Sequence, residues 1–189
     1  MNTIITNEPK HHGKLVTAIR ELLEHRALWL FLLLDQAGKD GQNIDKSAPE
    51  AIRRCGLYQG KNLVSKGKTD SLRGLKKTLF GKPAQMVFEM DIKKSTDDEL
   101  DIDFHYCPLV KAWQKQGASD EEIAKLCDIA MCGDHGIGEC YHARLDLPQC
   151  IAKGDPICAL RYSKTKKEIS GFSRSSCDPP GLHQSILNP

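Results

Sequence analysis

The chain has 189 residues, 40% of them hydrophobic and 28% charged, with a formal net charge of +2. That is enough for one domain with its own core and short for two. Lysine and arginine are dispersed rather than gathered on a stripe, which argues against a nucleic-acid partner. The most apolar stretch, Ala27 to Leu34, is far shorter than the roughly 20 residues a bilayer span needs, so no membrane partner is expected either. The opening residues lack a basic region followed by an apolar run. The expected location is the cytoplasm, where the eight cysteines are expected to be thiols or ligands rather than disulfides.

Lys14 to Gln36 reads as a long helix. Leu15, Ile19, Leu22 and Leu23 fall at helical spacing, and the run from Trp29 to Leu33 is apolar on all sides, which predicts burial on more than one face. Ser47-Ala-Pro-Glu50 has capping-box spacing and opens a second helix, expected to stop around Gly56 to Gly60. A short basic helix follows over Asp70 to Phe80. The period then changes to two: Met86, Phe88, Met90 and Ile92 alternate with Val87, Glu89 and Asp91, and Leu100, Ile102, Phe104 and Tyr106 with Asp101, Asp103 and His105. This predicts an antiparallel hairpin with one packed face and one wet face, the latter carrying Asp101 and Asp103.

After Cys107-Pro108 helices return. One spans Pro108 to Gln116, and Ser119-Asp-Glu-Glu122 is a second capping box opening a helix to about Gly133 or a little beyond. His142 to Pro148 and Ile157 to Tyr162 read as two further strands, with Lys153-Gly-Asp-Pro156 as a turn. From Ser163 the composition is Ser-, Lys- and Pro-rich. The expected organisation is a single α+β domain over 1–162, its helical N-terminal half packed against an antiparallel sheet of about four strands. Residues 1–13 would be a leader and 163–189 an irregular tail.

Six of the eight cysteines lie between Cys107 and Cys158, among His105, Asp128, Asp134, His135 and His142. If the helix from Ser119 continues through His135, then Asp128, Cys132 and His135 stand at i, i+4 and i+7 on one face. Cys127, Met131 and Asp134 form a second stripe. A carboxylate, a thiol and an imidazole side by side can activate the thiol or hold a metal. Against this, free cysteine is among the most buried residue types, and Cys127, Cys150 and Cys158 all fit core positions. The run C-x4-C-x7-C has neither a C-x2-C knuckle nor an H-x3-H partner. No cofactor is expected; zinc, if bound, would draw on Cys132, His135 and Cys158. Dinucleotide, P-loop, nucleophile-elbow and H-E-x-x-H signatures are missing.

The order of these residues resembles one family. His105-Tyr-Cys107-Pro-Leu-Val, Leu126-Cys-Asp128-Ile-Ala, Gly133-Asp134 and Ala152-Lys-Gly-Asp-Pro-Ile-Cys158-Ala-Leu-Arg161-Tyr resemble the L-2-amino-thiazoline-4-carboxylic acid hydrolases. The stretches Glu24-His-Arg-Ala and Gly56-Leu-Tyr-Gln-Gly60 look like that family's N-terminal half, so the resemblance covers about residues 14 to 162. An acidic residue is usual there where this chain has Cys132. The resemblance implies a fold similar to the vinyl-reductase-related small-ligand domains. It also implies opening of a cyclic amidine, L-2-amino-thiazoline-4-carboxylate, to S-carbamoyl-L-cysteine. The matching positions are Cys107, Cys127, Asp128, Asp134, Cys158 and Arg161.

On that reading Cys107, at a helix N-terminus that would lower its pKa, is the nucleophile candidate. Asp128 or Asp134 is the base and His135 a proton shuttle. Arg161 would hold the substrate carboxylate, with Cys127 also in the substrate site. The alternative is a non-catalytic small-molecule or metal-binding module using the same Cys, His and Asp cluster. The sequence sets no oligomeric state.

Overall fold

The computed structural model describes residues 4–165. Its elements run α1 (Lys14–Lys39), α2 (Ile44–Gly67), α3 (Leu72–Thr78), α4 (Lys82–Phe88), β1 (Met90–Ser95), β2 (Glu99–Phe104), α5 (Pro108–Lys115), α6 (Asp120–Cys140), β3 (Ala143–Asp146) and β4 (Cys158–Lys164). The strands form one antiparallel sheet in the order β1-β2-β4-β3. This is the expected α+β arrangement. β4 extends to Lys164, and residues 166–189 of the expected tail lie outside the described residues. Among the described residues no helix is long and apolar enough to cross a membrane.

Register sorts the sheet into two faces, since side chains alternate along a strand. Leu100 pairs with Tyr162, Ile102 with Leu160 and Phe104 with Cys158, and this face joins the core with Leu72, Leu75, Val110, Trp113 and Ile123. Asp101 opposite Arg161 and Asp103 opposite Ala159 point the other way. That second face is not uniformly wet. Asp103 is 8% exposed, because Arg161 Nη2 donates to its carboxylate at 2.5 Å and Lys93 stands at 3.7 Å.

Glycine explains the main departure in helix lengths. The second helix does not stop at Gly56 to Gly60, nor does α6 fray at Gly133; both run on where they cross. A Cβ at position 56 would stand 1.9 Å from the Gly133 carbonyl oxygen, and one at 136 would stand 2.3 Å from that of Arg53. The glycines let two backbones touch, and close packing repays their low helix propensity. Asn43, not Ser47, caps α2, its side chain accepting from the Lys46 N–H. The capping box at Ser119 and Glu122 is present at the start of α6.

Two further expectations change. Met86 to Phe88 alternate like a strand but belong to α4, which Gly81-Lys82-Pro83 opens and Glu89 closes at φ +52°. Glu89 is held there by the N–H groups of Lys10 and His11 and by the Arg20 guanidinium, 3.0 Å away. Burial acts to raise its pKa, but those donors together hold the carboxyl below the usual range. α1, expected to be buried on more than one face, buries one: Val16, Arg20 and Ala27 face the core while Leu15, Leu22 and Trp29 are exposed.

The expected leader lies against the domain. Ile5 is 3% and Asn7 2% exposed, and the Ile4 N–H donates to Asp120 at the start of α6.

Candidate active site

Four thiols from four segments meet at one end of the sheet. Cys107 is the N-cap of α5, Cys127 lies in α6, Cys150 precedes a 3-10 turn at Ile151–Lys153, and Cys158 opens β4. The Sγ atoms of Cys127 and Cys150 are 3.6 Å apart, and the Ile151 N–H donates to the Cys158 sulfur at 3.3 Å. Cys150 is central. Hydrogen bonds from the Cys127 and Cys158 thiols, aided by the Ala152 N–H and the charge of Lys153, hold it well below the ordinary thiol range. Cys127 and Cys158, donating to Cys150 and buried, are pushed up.

Cys107 stands beside this group, pinned through its backbone. Asn7 Nδ2 donates to the Cys107 carbonyl and the Cys107 N–H donates to Asn7 Oδ1, each at 2.9 Å. The expected lowering of its pKa by the helix start is outweighed. Burial pushes the thiol up to about 11, the Val110 and Leu109 N–H groups pull it down, and the negative charges of Cys150 and Asp134 add to the rise. The helix N-terminus acts as expected and loses to desolvation. At neutral pH Cys107 is a thiol.

Asp134, in α6, supplies a carboxyl to this region. Burial raises its carboxyl to about 6, opposed by the positive charge of Arg26 on α1. The Tyr162 hydroxyl donates to the Asp134 backbone carbonyl at 3.3 Å, tying α6 to the buried face of β4. Cys107 and Asp134 each keep partial exposure, whereas Cys127, Cys150 and Cys158 are 9, 2 and 8% exposed.

The other expected residues fall elsewhere. α6 runs past His135, so Asp128, Cys132 and His135 do share a face, as their spacing requires. They line a separate cleft of about 450 Å³ with Lys125, Leu147 and Lys153. Asp128 is exposed and its Oδ1 lies 2.7 Å from Lys153 Nζ. His135 has its pKa lowered by burial and is neutral at pH 7. Lys153 joins the two regions, since its ammonium also feels Cys150 and Cys127. Arg161 points away from both. It lies on the sheet face opposite Cys158, with Nη2 on Asp103 and Nη1 on the carbonyls of Ile102 and Leu160. Among the described residues no three His, Cys, Asp or Glu side chains are arranged to hold a metal, and the suggested set is divided: Cys158 lies in the thiol group and His135 at the cleft, while Cys132, also at the cleft, is in a disulfide and so is not the thiol or ligand expected.

Sequence reasoning missed Cys150 and Asn7 in this site. Cys150 carries a local signal, a cysteine eight positions before Cys158 across a turn. Asn7 carries none, because its partner is 100 residues away.

No curated protein matches the sequence. Among solved structures, a trafficking protein particle complex subunit 3 from Naegleria fowleri, covalently bound to palmitic acid, is similar in fold. Identity is 16%, the TM-score is 0.51, and the likeness covers 76% of this chain and 95% of that one. The family model for L-2-amino-thiazoline-4-carboxylic acid hydrolase matches residues 20–162, a span that includes Cys107, Asp134 and all three buried thiols. The chain belongs to the L-2-amino-thiazoline-4-carboxylic acid hydrolase family.

Proposed function

We propose that this protein is a hydrolase that opens a small cyclic amidine such as L-2-amino-thiazoline-4-carboxylate, with Asp134 as the acid–base group. What supports this reading is a half-buried carboxyl on α6, within electrostatic reach of Cys107, whose pKa burial pushes up to about 6. A general base works best when its pKa lies near the working pH.

The proposed reaction uses water. Its oxygen bonds to C2 of the thiazoline ring, and Asp134 takes one proton and passes it to ring nitrogen N3. The second water proton follows the same route as the C2–N3 bond breaks and C2 becomes a carbonyl. Both protons end on N3, which becomes the α-amino group of S-carbamoyl-L-cysteine. Cys107, a thiol at neutral pH, lines the site and need not attack. Asp128 and His135, across α6, take no direct part. The reading calls for a small-molecule substrate and no cofactor.

Turnover in ¹⁸O-water, followed by mass spectrometry, tests it. The carbamoyl oxygen of the product should carry the label. Asp134→Asn should lose about 100-fold or more in kcat/KM, the size of a general base, while Cys107→Ala should lose much less. Absence of turnover by the unaltered chain, or an active Asp134→Asn, would overturn the proposal.

A further inference from the structure

α1 is apolar on two opposite sides. Beyond its core face, Leu15, Leu22, Trp29 and Leu33 are 71, 71, 61 and 65% exposed. Leu15, Leu22 and Trp29 recur every seven residues, with Ala18, His25 and Leu32 at the intervening positions. The stripe therefore has the a and d spacing of a coiled-coil seam rather than that of scattered surface leucines. Trp29 is already oriented, its Nε1 donating to His25 Nε2 at 3.0 Å.

The flanking charges choose among occupants. An anionic membrane surface calls for a basic border, but the stripe is bordered by Glu21, Arg26 and Asp35, of mixed sign. In heptad register Glu21 is a g position and Arg26 the following e position. Parallel helices bring g of one to the next e of the other, so two copies would place Glu21 against Arg26 twice. The next such pair, Leu28 with Leu33, adds apolar contact. Neither Glu21 nor Arg26 makes a salt bridge in its own chain among the described residues, although the charge of Arg26 is felt by Asp134.

We infer that the exposed face of α1 is the interface of a parallel homodimer, in which Leu15, Leu22, Trp29 and Leu33 of two copies close on one another and Glu21 of each copy meets Arg26 of the other. A helix of this length is about 39 Å long and about 10 Å across, roughly 400 Å² in projection. That is about half of the ~800 Å² per partner of a standard interface, the size of a weak, reversible association. The interface also reaches the site, because Arg26 is the cation that opposes protonation of Asp134.

Sedimentation of the full chain from about 1 to about 200 µM should show a reversible monomer–dimer equilibrium. Leu22→Glu with Trp29→Glu should abolish the dimer without altering the helical circular dichroism, since both side chains are exposed. Glu21→Arg should weaken the dimer about tenfold, and adding Arg26→Glu should restore it. The charge-swap series remains decisive if the double glutamate variant fails to fold. A chain monomeric at the highest concentration, or a dimer indifferent to Leu22→Glu with Trp29→Glu, would overturn the inference. So would a dimer strengthened by Glu21→Arg, the result expected of antiparallel helices.

Discussion

Asp134 lies in α6 with its carboxyl largely enclosed, and burial moves its pKa from the ordinary 3.8 to about 6. A carboxyl whose pKa rises on folding holds its proton more firmly in the folded chain than in the unfolded one. The stability contributed by that proton is fully present below about pH 4, declines as pH rises toward 6, and is lost above it. A shift of about two pK units corresponds to about 3 kcal/mol, an upper bound because the residual exposure of Asp134 lets solvent screen part of the penalty. Asp134→Asn keeps the shape and removes the charge. It is therefore expected to be more stable than the parent by up to about 3 kcal/mol at pH 8, with about half of that difference developing between pH 5 and pH 8.

Urea denaturation of both chains at pH 5, 6, 7 and 8 reads the difference directly. For a chain of this size each kcal/mol also appears as a melting shift of about 2–4 °C. Of the groups near Asp134, Cys107 titrates at about 11 and the Tyr162 hydroxyl is pushed well above the usual phenol value, both outside this window, while His135 is present in both chains and enters the difference only through its coupling to Asp134. A stability difference that does not change with pH, or an Asp134→Asn chain less stable at pH 8, would refute the reasoning. The same titration should appear in turnover with opposite value to the fold, since the base is useful only when ionised: kcat/KM should rise with pH through about 6.

Five other outcomes follow from the geometry. Gly136→Ala sets a methyl 2.3 Å from the Arg53 carbonyl oxygen and should cost about 3 kcal/mol in denaturation. Gly38→Ala, with nothing within 4 Å, should instead gain about 0.5–1 kcal/mol. Asn7→Ala should cost about 2 kcal/mol and speed hydrogen exchange at the Cys107 amide, whose acceptor it removes. Alkylation of Cys107 by iodoacetamide, followed by peptide mapping, should keep rising with pH beyond 9; a plateau near the ordinary thiol value would contradict the burial. Glu89 has its pKa depressed, so the stability it contributes is present at neutral pH and lost as pH falls through the carboxylate range. Glu89→Gln should flatten that acid limb and cost about 3–5 kcal/mol at pH 7 by leaving Arg20 with an unpaired buried charge.

Features whose cause is local were legible in the sequence. The capping box at Ser119 needs only Ser119 and Glu122, and it is present. The hairpin β1-β2 and the strands β3 and β4 followed from alternation and turn residues over short windows. The misread positions share a different property, dependence on a segment far along the chain. Gly56 and Gly136 look like helix breakers until the other helix is in place, when the missing Cβ becomes the condition for contact. Met86 to Phe88 satisfy a period of two for only three residues. Gly81-Lys82-Pro83 and the left-handed Glu89 outweigh that, and Glu89 itself depends on Arg20, Lys10 and His11.

The same distinction divides the candidate site. Helical spacing separated Asp128, Cys132 and His135 from Cys127 and Asp134 on α6, and the structure keeps them on two faces. Spacing cannot say which face is enclosed. Asp128 and Asp134 are chemically identical, and what separates them is context: Asp128 meets Lys153 in the open, while Asp134 is enclosed near Arg26, Cys107 and Tyr162. Arg161 was within reach of the sequence. Cys158, Leu160 and Tyr162 set one strand face, which leaves Arg161 on the other, where Asp103 from the neighbouring strand receives it. Cys107 shows how two sound local rules compete. A helix start lowers a thiol's pKa and burial raises it, and which prevails depends on residues such as Asn7 and Cys150 that the chain brings in from elsewhere. The identity of a base in such a site is thus a property of the assembled domain. That is why Asp134, rather than the better-placed cysteine of the sequence, is the residue on which the proposed chemistry rests.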